Sequence, residues 1–193
     1  YVSLGLACEE LEYVDTHLRV ILSVHVGLNS MTLWCWGTDE QKKKYLVPQA
    51  RGEKIATYGL TEPNAGSDAV GIQSTAVRKG DRYVLNGEKM WISLADVADH
   101  FLVIAWTDQE KKKKRDHSGM SAFIVERGFK GFASFSIKEK WGILAGNTGG
   151  GAGGARIDGI GSALHSTISS NTATATGGTG GLLATGTGGD LHF

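Results

Sequence analysis

Eleven consecutive residues, YGLTEPNAGSD at 58–68, gather a phenol, a threonine hydroxyl, a proline and a Gly-Ser-Asp tip. Chemically this reads as a strand running into a tight turn. A strand carrying Tyr58, Leu60 and Thr61 places alternate side chains on one face. Pro63 has no N–H to donate and ends the ladder. Asn64 to Ser67 then turn tightly, with Gly66 leaving backbone N–H groups unobstructed; together with the Ser67 hydroxyl these can hold a pyrophosphate oxygen. Farther along, Trp91-Ile92-Ser93 falls on a second strand candidate, where an indole can stack on a flat ring and a hydroxyl can meet its polar edge. A ring at the strand and a phosphate at the turn describe a dinucleotide with an aromatic head. The same residues also make an ordinary hairpin loop over a core aromatic, and residue types alone leave both readings open.

Other polar residues take plainer roles. His25 falls on an apolar stripe and is expected to be a hydrogen-bonded packing histidine. Glu53, Glu62 and Asp68 are each conceivable as a general base, but Glu62 and Asp68 belong to the turn stretch and are expected to order it through local hydrogen bonds. The run KKKKR at 111–115 lies between strand candidates, and like charges so close together favour a solvated loop. No aromatic residues interleave with those lysines, which argues against nucleic acid. Cys8 and Cys35 show neither CxxC nor ligand spacing, so two buried thiols in a reducing compartment are expected, with no metal site.

The elements that must position these residues change character along the chain. Leu4, Ala7, Cys8, Leu11, Val14, Leu18, Ile21 and Leu22 follow the 3.6 period of an amphipathic helix through His25, which Gly27 and Asn29 are expected to end. A short apolar segment through Trp34 and Trp36, both expected in the core, precedes Gly37. Thr38 with Gln41 three residues later opens a further helix, which Pro48 limits. After Gly52 the texture becomes ATYGLT, STAVRK, RYVLNG, KMWISL, HFLVIAW and MSAFIVE, short β-branched or aromatic runs that predict an antiparallel β-domain. Asn86-Gly87 is the strongest turn signal and Gly80-Asp81 a second. Beyond Trp141 lie 16 of the 28 glycines and no lysine, a composition with high backbone entropy and little to bury, so loops or disorder are expected there.

Composition bounds the rest. The 193 residues, 41% of them hydrophobic, suffice for a buried core, and 20 cationic side chains balance 20 anionic ones. That balance gives no global field toward nucleic acid or an anionic membrane. No apolar run reaches membrane-spanning length, so no stable membrane insertion is expected. The chain starts without Met inside an apolar pattern, as a fragment would.

YGLTEPNAGSD, followed in order by TAVRKGDRYVLNGEKMWIS, ADHFLVIAWT and SAFIVERG, resembles the central β-domain of the acyl-CoA dehydrogenase family. GTDEQKKKYLVPQARGEKIA resembles the segment leading into it, and the likeness covers residues 1–149. It implies an α+β fold: the end of an N-terminal helical domain (1–54), then an antiparallel β-barrel-like middle domain (55–149). The family's C-terminal four-helix domain is missing. The resemblance further implies FAD and an acyl-CoA thioester, with Tyr58, Leu60 and Thr61 by the isoalloxazine and Gly66 and Ser67 near the FAD pyrophosphate. Ser67 is also expected to meet the CoA-bearing substrate. The family's Trp-Ile-Thr stretch is Trp91-Ile92-Ser93 here, so Trp91 covers the flavin and the hydroxyl is kept at Ser93.

The family's reaction is α,β-dehydrogenation, in which a carboxylate takes the α-proton while the β-hydride passes to flavin. Hydrogen bonds must polarise the thioester carbonyl, where charge develops. An electron-transfer flavoprotein then reoxidises the flavin, within a homodimer or homotetramer located in the bacterial cytoplasm or the mitochondrial matrix. The family's catalytic glutamate belongs to the C-terminal domain and has no counterpart here. Residues 150–193 depart from the family, reading as a disordered or frameshifted Gly/Thr-rich tail. Two other functions stay open: an oxidase-like relative that uses oxygen, and a catalytically dead fragment that at most binds flavin or CoA. VDTHLRVILSVH resembles glutaryl-CoA dehydrogenases, where an Arg at the place of Arg19 grips a distal carboxylate. Ser23 lies one turn on and shares that place. A helix Arg also serves as a solvated surface charge.

Overall fold

The computed structural model describes residues 2–137 and the backbone of strands 154–159, 164–165, 183–184 and 191–192. Three helical stretches come first. Helix α1 (Val2–Val14) ends at Asp15, whose extended backbone (φ −161°) and carboxylate, accepting from His17 N at 2.8 Å, cap the next helix. Helix α2 then runs without interruption over Thr16–Trp36, with a π-type stretch at Leu22–Ser30. The single helix expected through His25 is therefore broken earlier, at Asp15, and continues past Gly27 and Asn29. Asn29 does not stop the helix because its amide is used in tertiary contacts. Helix α2 ends at Gly37, whose backbone is extended (φ −70°, ψ 149°), and a Cβ there would stand 2.6 Å from Leu33 O, so the position needs glycine.

Thr38 opens α3 (residues 39–50) with the expected capping box: its Oγ1 accepts from Gln41 N at 3.3 Å and its N–H donates to Gln41 Oε1 at 2.8 Å. Pro48 does not limit this helix. Val47 N bonds Lys42 O in a wide π-type turn just before the ring, which makes room for it. The helix stops instead at Gly52 (φ +71°), where Glu53 N reaches Pro48 O at 2.9 Å and Gly52 N reaches Gln49 O at 3.0 Å.

The helices are pinned to the first strand by polar groups. His25 Nδ1 accepts from Ala56 N at 3.0 Å, Asn29 Nδ2 donates to Thr57 O at 2.7 Å, and Gln49 Nε2 donates to Asn29 Oδ1 at 2.8 Å. His25 is thus the hydrogen-bonded packing histidine expected. Elsewhere Lys44 Nζ and Tyr45 Oη both donate to Glu126 Oε1, at 2.6 and 2.7 Å, tying α3 to the sheet.

Among the described residues eight strands form one sheet, β6-β7-β3-β2-β4-β5-β8 with β1 beside β4, which does not close on itself. They are β1 (Ala56–Gly59), β2 (Thr75–Lys79), β3 (Arg82–Met90), β4 (His100–Trp106), β5 (Met120–Glu126), β6 (Phe132–Ser134), β7 (Gly154–Gly159) and β8 (Leu164–His165). The expected antiparallel arrangement holds for most pairs, but β1 runs parallel to β4 from Ala56↔His100 to Gly59↔Val103. Every residue of β4 is buried, as its unbroken apolar run requires. Leu102, Ile104 and Trp106 face a core shared with Leu33, Trp36 and Tyr45 of the helices, while Phe101, Val103 and Ala105 face a second core with Ala76, Leu85 and Phe123.

Several local expectations need correcting. Gly80-Asp81 does turn β2 into β3, but Asn86-Gly87 lies inside β3. A Cβ at Gly87 (φ +154°) would stand 2.1 Å from Ser74 Oγ, so close approach of Ser74, and no turn, demands glycine. Lys111 to Lys113 of KKKKR end helix α4 (Gln109–Lys113), capped by Asp108, where a loop was expected, and Lys114 and Arg115 turn out of it. Trp34 is 65% exposed and Cys35 is exposed, against core positions expected for both. Helix α2, at 21 residues, is long and apolar enough by length and composition to span a bilayer, although His17, Arg19 and His25 interrupt its apolar runs; its buried His25 and Asn29 dock it on β1. Strand β7 pairs with β3 and β6 inside the glycine-rich tail, where loops or disorder were expected, because backbone pairing along an open edge needs no large side chains. Strands β8, β9 (Leu183–Ala184) and β10 (Leu191–His192) add further short pairings, and the rest of the tail lies outside the described residues.

Candidate flavin-facing site

The two stretches singled out for chemistry meet at the ends of β1 and β3. Met90 N donates to Thr61 O at 2.8 Å, Lys89 Nζ to Leu60 O at 3.1 Å, and Thr57 Oγ1 to Ser93 O. These bonds align residues 57–61 with residues 89–93. Trp91 to Ser93 lie just past the end of β3, on a turn and not on a strand. Trp91 and Leu94 both have left-handed backbones (φ 62° and 64°), a conformation that costs a residue with a Cβ about 1–2 kcal/mol. The turn leaves the Trp91 indole 52% exposed while Ile92 is buried in the second core. Anything Ile92 offers a ligand is therefore backbone.

Beneath this junction lies a buried ion pair. Glu62 Oε1 accepts from Lys89 Nζ at 2.7 Å, from Ser74 N at 3.0 Å and from Ser74 Oγ, while Oε2 accepts from Gln73 N. Both side chains are almost fully buried. Burial alone would raise the Glu62 carboxyl; the Lys89 charge and the bonds from Gln73, Lys89 and Ser74 outweigh it and hold the group below its usual range. Burial draws Lys89 below its ordinary value against the opposing pull of Glu62, and the short contact marks an ion pair. The Glu62 backbone makes the local bonds expected of it, Glu62 N to Ala65 O at 2.9 Å and Ala65 N to Glu62 O at 3.1 Å, while its side chain reaches partners farther along the chain; a carboxylate with four donors on it is a poor base. Asp68 likewise finds a distant partner: Arg115 Nη2 lies 2.6 Å from each of its oxygens, at the surface.

The remaining site candidates are placed as follows. Tyr58 and Leu60 are half-buried against the helical-side core, and burial pushes the Tyr58 phenol above its ordinary value. Thr61 and Ser93 are half-buried, and Gly66 and Ser67 are exposed. Gly66 has no positive φ, and no other group of the chain lies within 4 Å of where its Cβ would be. Nothing inside the chain requires glycine there, which suits a group approaching the backbone from outside. Open backbone at the turn and an exposed indole held in a strained conformation fit a phosphate joined to a flat ring. On α2, Arg19 Nε donates to Glu12 Oε2 at 2.7 Å and its Nη1 reaches Ser23 Oγ at 3.4 Å, so Arg19 and Ser23 do share one place.

Two residues escaped sequence reasoning: Lys89, and Arg127, whose guanidinium donates to Ala95 O and Ala98 O just past Ser93. Lys89 had a signal: it shares strand parity with buried Leu85, and a lysine on the inward face of a strand calls for a partner. Arg127 had none in its neighbourhood.

The family model for the acyl-CoA dehydrogenase N-terminal domain matches residues 1–53, and that for the middle domain matches residues 57–150. The chain belongs to the acyl-CoA dehydrogenase family. Among acyl-CoA dehydrogenases, a short-chain-specific one of Clostridium acetobutylicum is 50% identical over 143 residues, which cover 74% of this chain and 37% of that protein. A glutaryl-CoA dehydrogenase of Mycobacterium smegmatis, solved in complex with FADH2, superposes with a TM-score of 0.74 at 33% identity, covering 85% of this chain and 39% of that one. Butyryl-CoA dehydrogenase of Megasphaera elsdenii superposes at 0.72 with 38% identity, covering 80% and 39%. The chain thus spans well under half the length of these acyl-CoA dehydrogenases.

Proposed function

We propose that this chain carries the flavin- and thioester-binding part of an FAD-dependent acyl-CoA dehydrogenase that converts an acyl-CoA to the 2-enoyl-CoA and passes electrons to an electron-transfer flavoprotein. The observation that carries this reading is the exposed Trp91 indole, held by a left-handed backbone beside the hydrogen-bonded 57–61 stretch. The FADH2 bound in the mycobacterial relative supports FAD as the dinucleotide.

In this reading Trp91 covers the ring, Tyr58, Leu60, Thr61 and Ser93 border it, and Gly66 and Ser67 hold the pyrophosphate. Bound FAD supplies the acceptor for the hydride. The indole screens that acceptor from water, and the Glu62–Lys89 pair holds the two bordering stretches in register. Ser67 also meets the CoA-bearing substrate. Neither Glu62 nor Asp68 serves as base, because each is engaged by a cation. Assembly as a homo-oligomer and electron transfer to the flavoprotein belong to the whole enzyme.

The names of the clostridial and Megasphaera relatives favour a short monocarboxylic acyl chain. A dicarboxylyl thioester is the second reading, favoured by the Arg19–Ser23 contact and the glutaryl-CoA relative. Glu12 already occupies one edge of the Arg19 guanidinium, which weakens it.

Titrating the purified chain with FAD and following flavin fluorescence tests the proposal. Saturable quenching is expected, with affinity at least tenfold weaker in Trp91→Ala, the loss of roughly 1.4 kcal/mol of stacking. A chain that binds no FAD, or a Trp91→Ala variant that binds equally well, overturns it.

A further inference from the structure

We propose that Arg127 is a positioning residue for the turn that presents Trp91. The turn 91–98 contains two left-handed residues, Trp91 and Leu94, and its backbone bonds include Ala95 N to Ile92 O at 3.4 Å, Val97 N to Leu94 O at 3.1 Å and Ala98 N to Leu94 O at 2.8 Å. Ala95 and Ala98 are fully buried, so their carbonyls need partners from the protein. One guanidinium supplies them. Arg127 Nε donates to Ala98 O and Nη2 to Ala95 O, both at 2.6 Å, while Nη1 reaches Ser134 Oγ on β6 at 3.0 Å. Arg127 N donates to Asp99 O at 2.9 Å, and the guanidinium lies 5.5 Å from the Phe101 ring centroid.

The planar fork suits this task because its donors point in fixed, divergent directions toward two separate carbonyls. The Arg127 guanidinium donates to backbone carbonyls of the turn and to Ser134 Oγ. It acts through the backbone that carries Trp91, anchoring the turn between β4 and β6 against the strain at Trp91 and Leu94. The inference rests on Trp91 as the flavin-facing residue.

The test compares the parent chain with Arg127→Gln and Arg127→Lys. Hydrogen exchange followed by mass spectrometry reads the turn without any ligand. In Arg127→Gln the amides of residues 92–99 should exchange at least tenfold faster, while those of β4 and β5 keep their protection; Arg127→Lys should fall between. Unchanged exchange in the turn overturns the proposal, as does an equal rise in β4 and β5, which marks general destabilisation. FAD affinity then reads the consequence. Arg127→Gln should weaken FAD binding roughly tenfold in the parent, as for losing one or two charged hydrogen bonds, and have no further effect in the Trp91→Ala background. Additive losses in the double variant also overturn it. If the parent chain binds no FAD, the flavin reading fails by that result, and the exchange arm judges Arg127 by itself.

Discussion

Glu62 and Asp68 stand six positions apart in one eleven-residue stretch, and each is held by a cation from far along the chain. Their surroundings separate them. The Glu62–Lys89 pair is sealed from water and takes three further hydrogen bonds from Ser74 and Gln73; the Asp68–Arg115 pair has more than half of each side chain exposed. A sealed charge without its partner cannot recover water, whereas an exposed one can. The contrast assigns different work to the two ends of the stretch: Glu62 holds the junction of β1 and β3 rigid, and the Gly-Ser-Asp tip stays adjustable at the surface.

The largest expected effect comes from opening the buried pair. Lys89→Met strands the Glu62 carboxylate and should cost about 3–5 kcal/mol in urea unfolding, with much of the loss recovered in Glu62→Gln/Lys89→Met. A single-variant loss below about 1 kcal/mol would erase the distinction between the two pairs. The same pair sets an acid limb. Because the folded Glu62 pKa is lowered from 4.5, its contribution is complete above that value and is lost as the pH falls through the depressed folded one. Glu62→Gln/Lys89→Met, which leaves neither charge buried, should flatten the pH dependence of stability below about pH 4.5 relative to the parent.

Trp91→Gly sharpens the separation between holding and binding. Glycine removes the left-handed cost and also the indole, so stability should stay within about 1 kcal/mol of the parent while FAD affinity falls at least tenfold. Thermal unfolding and flavin titration on the same sample measure both. The smallest effect belongs to the surface pair: Asp68→Asn should change stability by at most about 1 kcal/mol, and by less still in 1 M salt. A larger cost would mean that the tip is as rigid as the junction.

Much of this architecture was legible because it follows local periodicity. The 3.6 pattern gave the early helices, the Thr38 capping box was found where its side chains placed it, and HFLVIAW read as a strand, which the fold then buries along its whole length. What escaped depends on contacts between distant residues. Asn29 reads as a helix stop until its amide is seen on Thr57 O. Gly87 reads as a turn until Ser74 is seen against it, and that error hid the parity by which Lys89 points inward. The site stretches were found from their residue types. Their mutual alignment was not, because Thr57, Ser93, Thr61 and Met90 carry no local mark of pairing. Arg127 is the extreme case, since the carbonyls it satisfies lie about thirty residues before it.

The parallel pairing of β1 with β4 has a consequence in time. Ala56 pairs with His100, and the antiparallel hairpin of β2 and β3 lies between them in sequence. That hairpin can close within microseconds, since its strands are joined by two residues. On a ribosome adding roughly 5–20 residues per second, β1 emerges several seconds before its partner exists. For that interval β1 is an unpaired strand. Arrest-peptide force profiling should therefore show little compaction of β1 until the chain is extended past β4, and an earlier force peak would mean that helix α2 alone holds the strand in place.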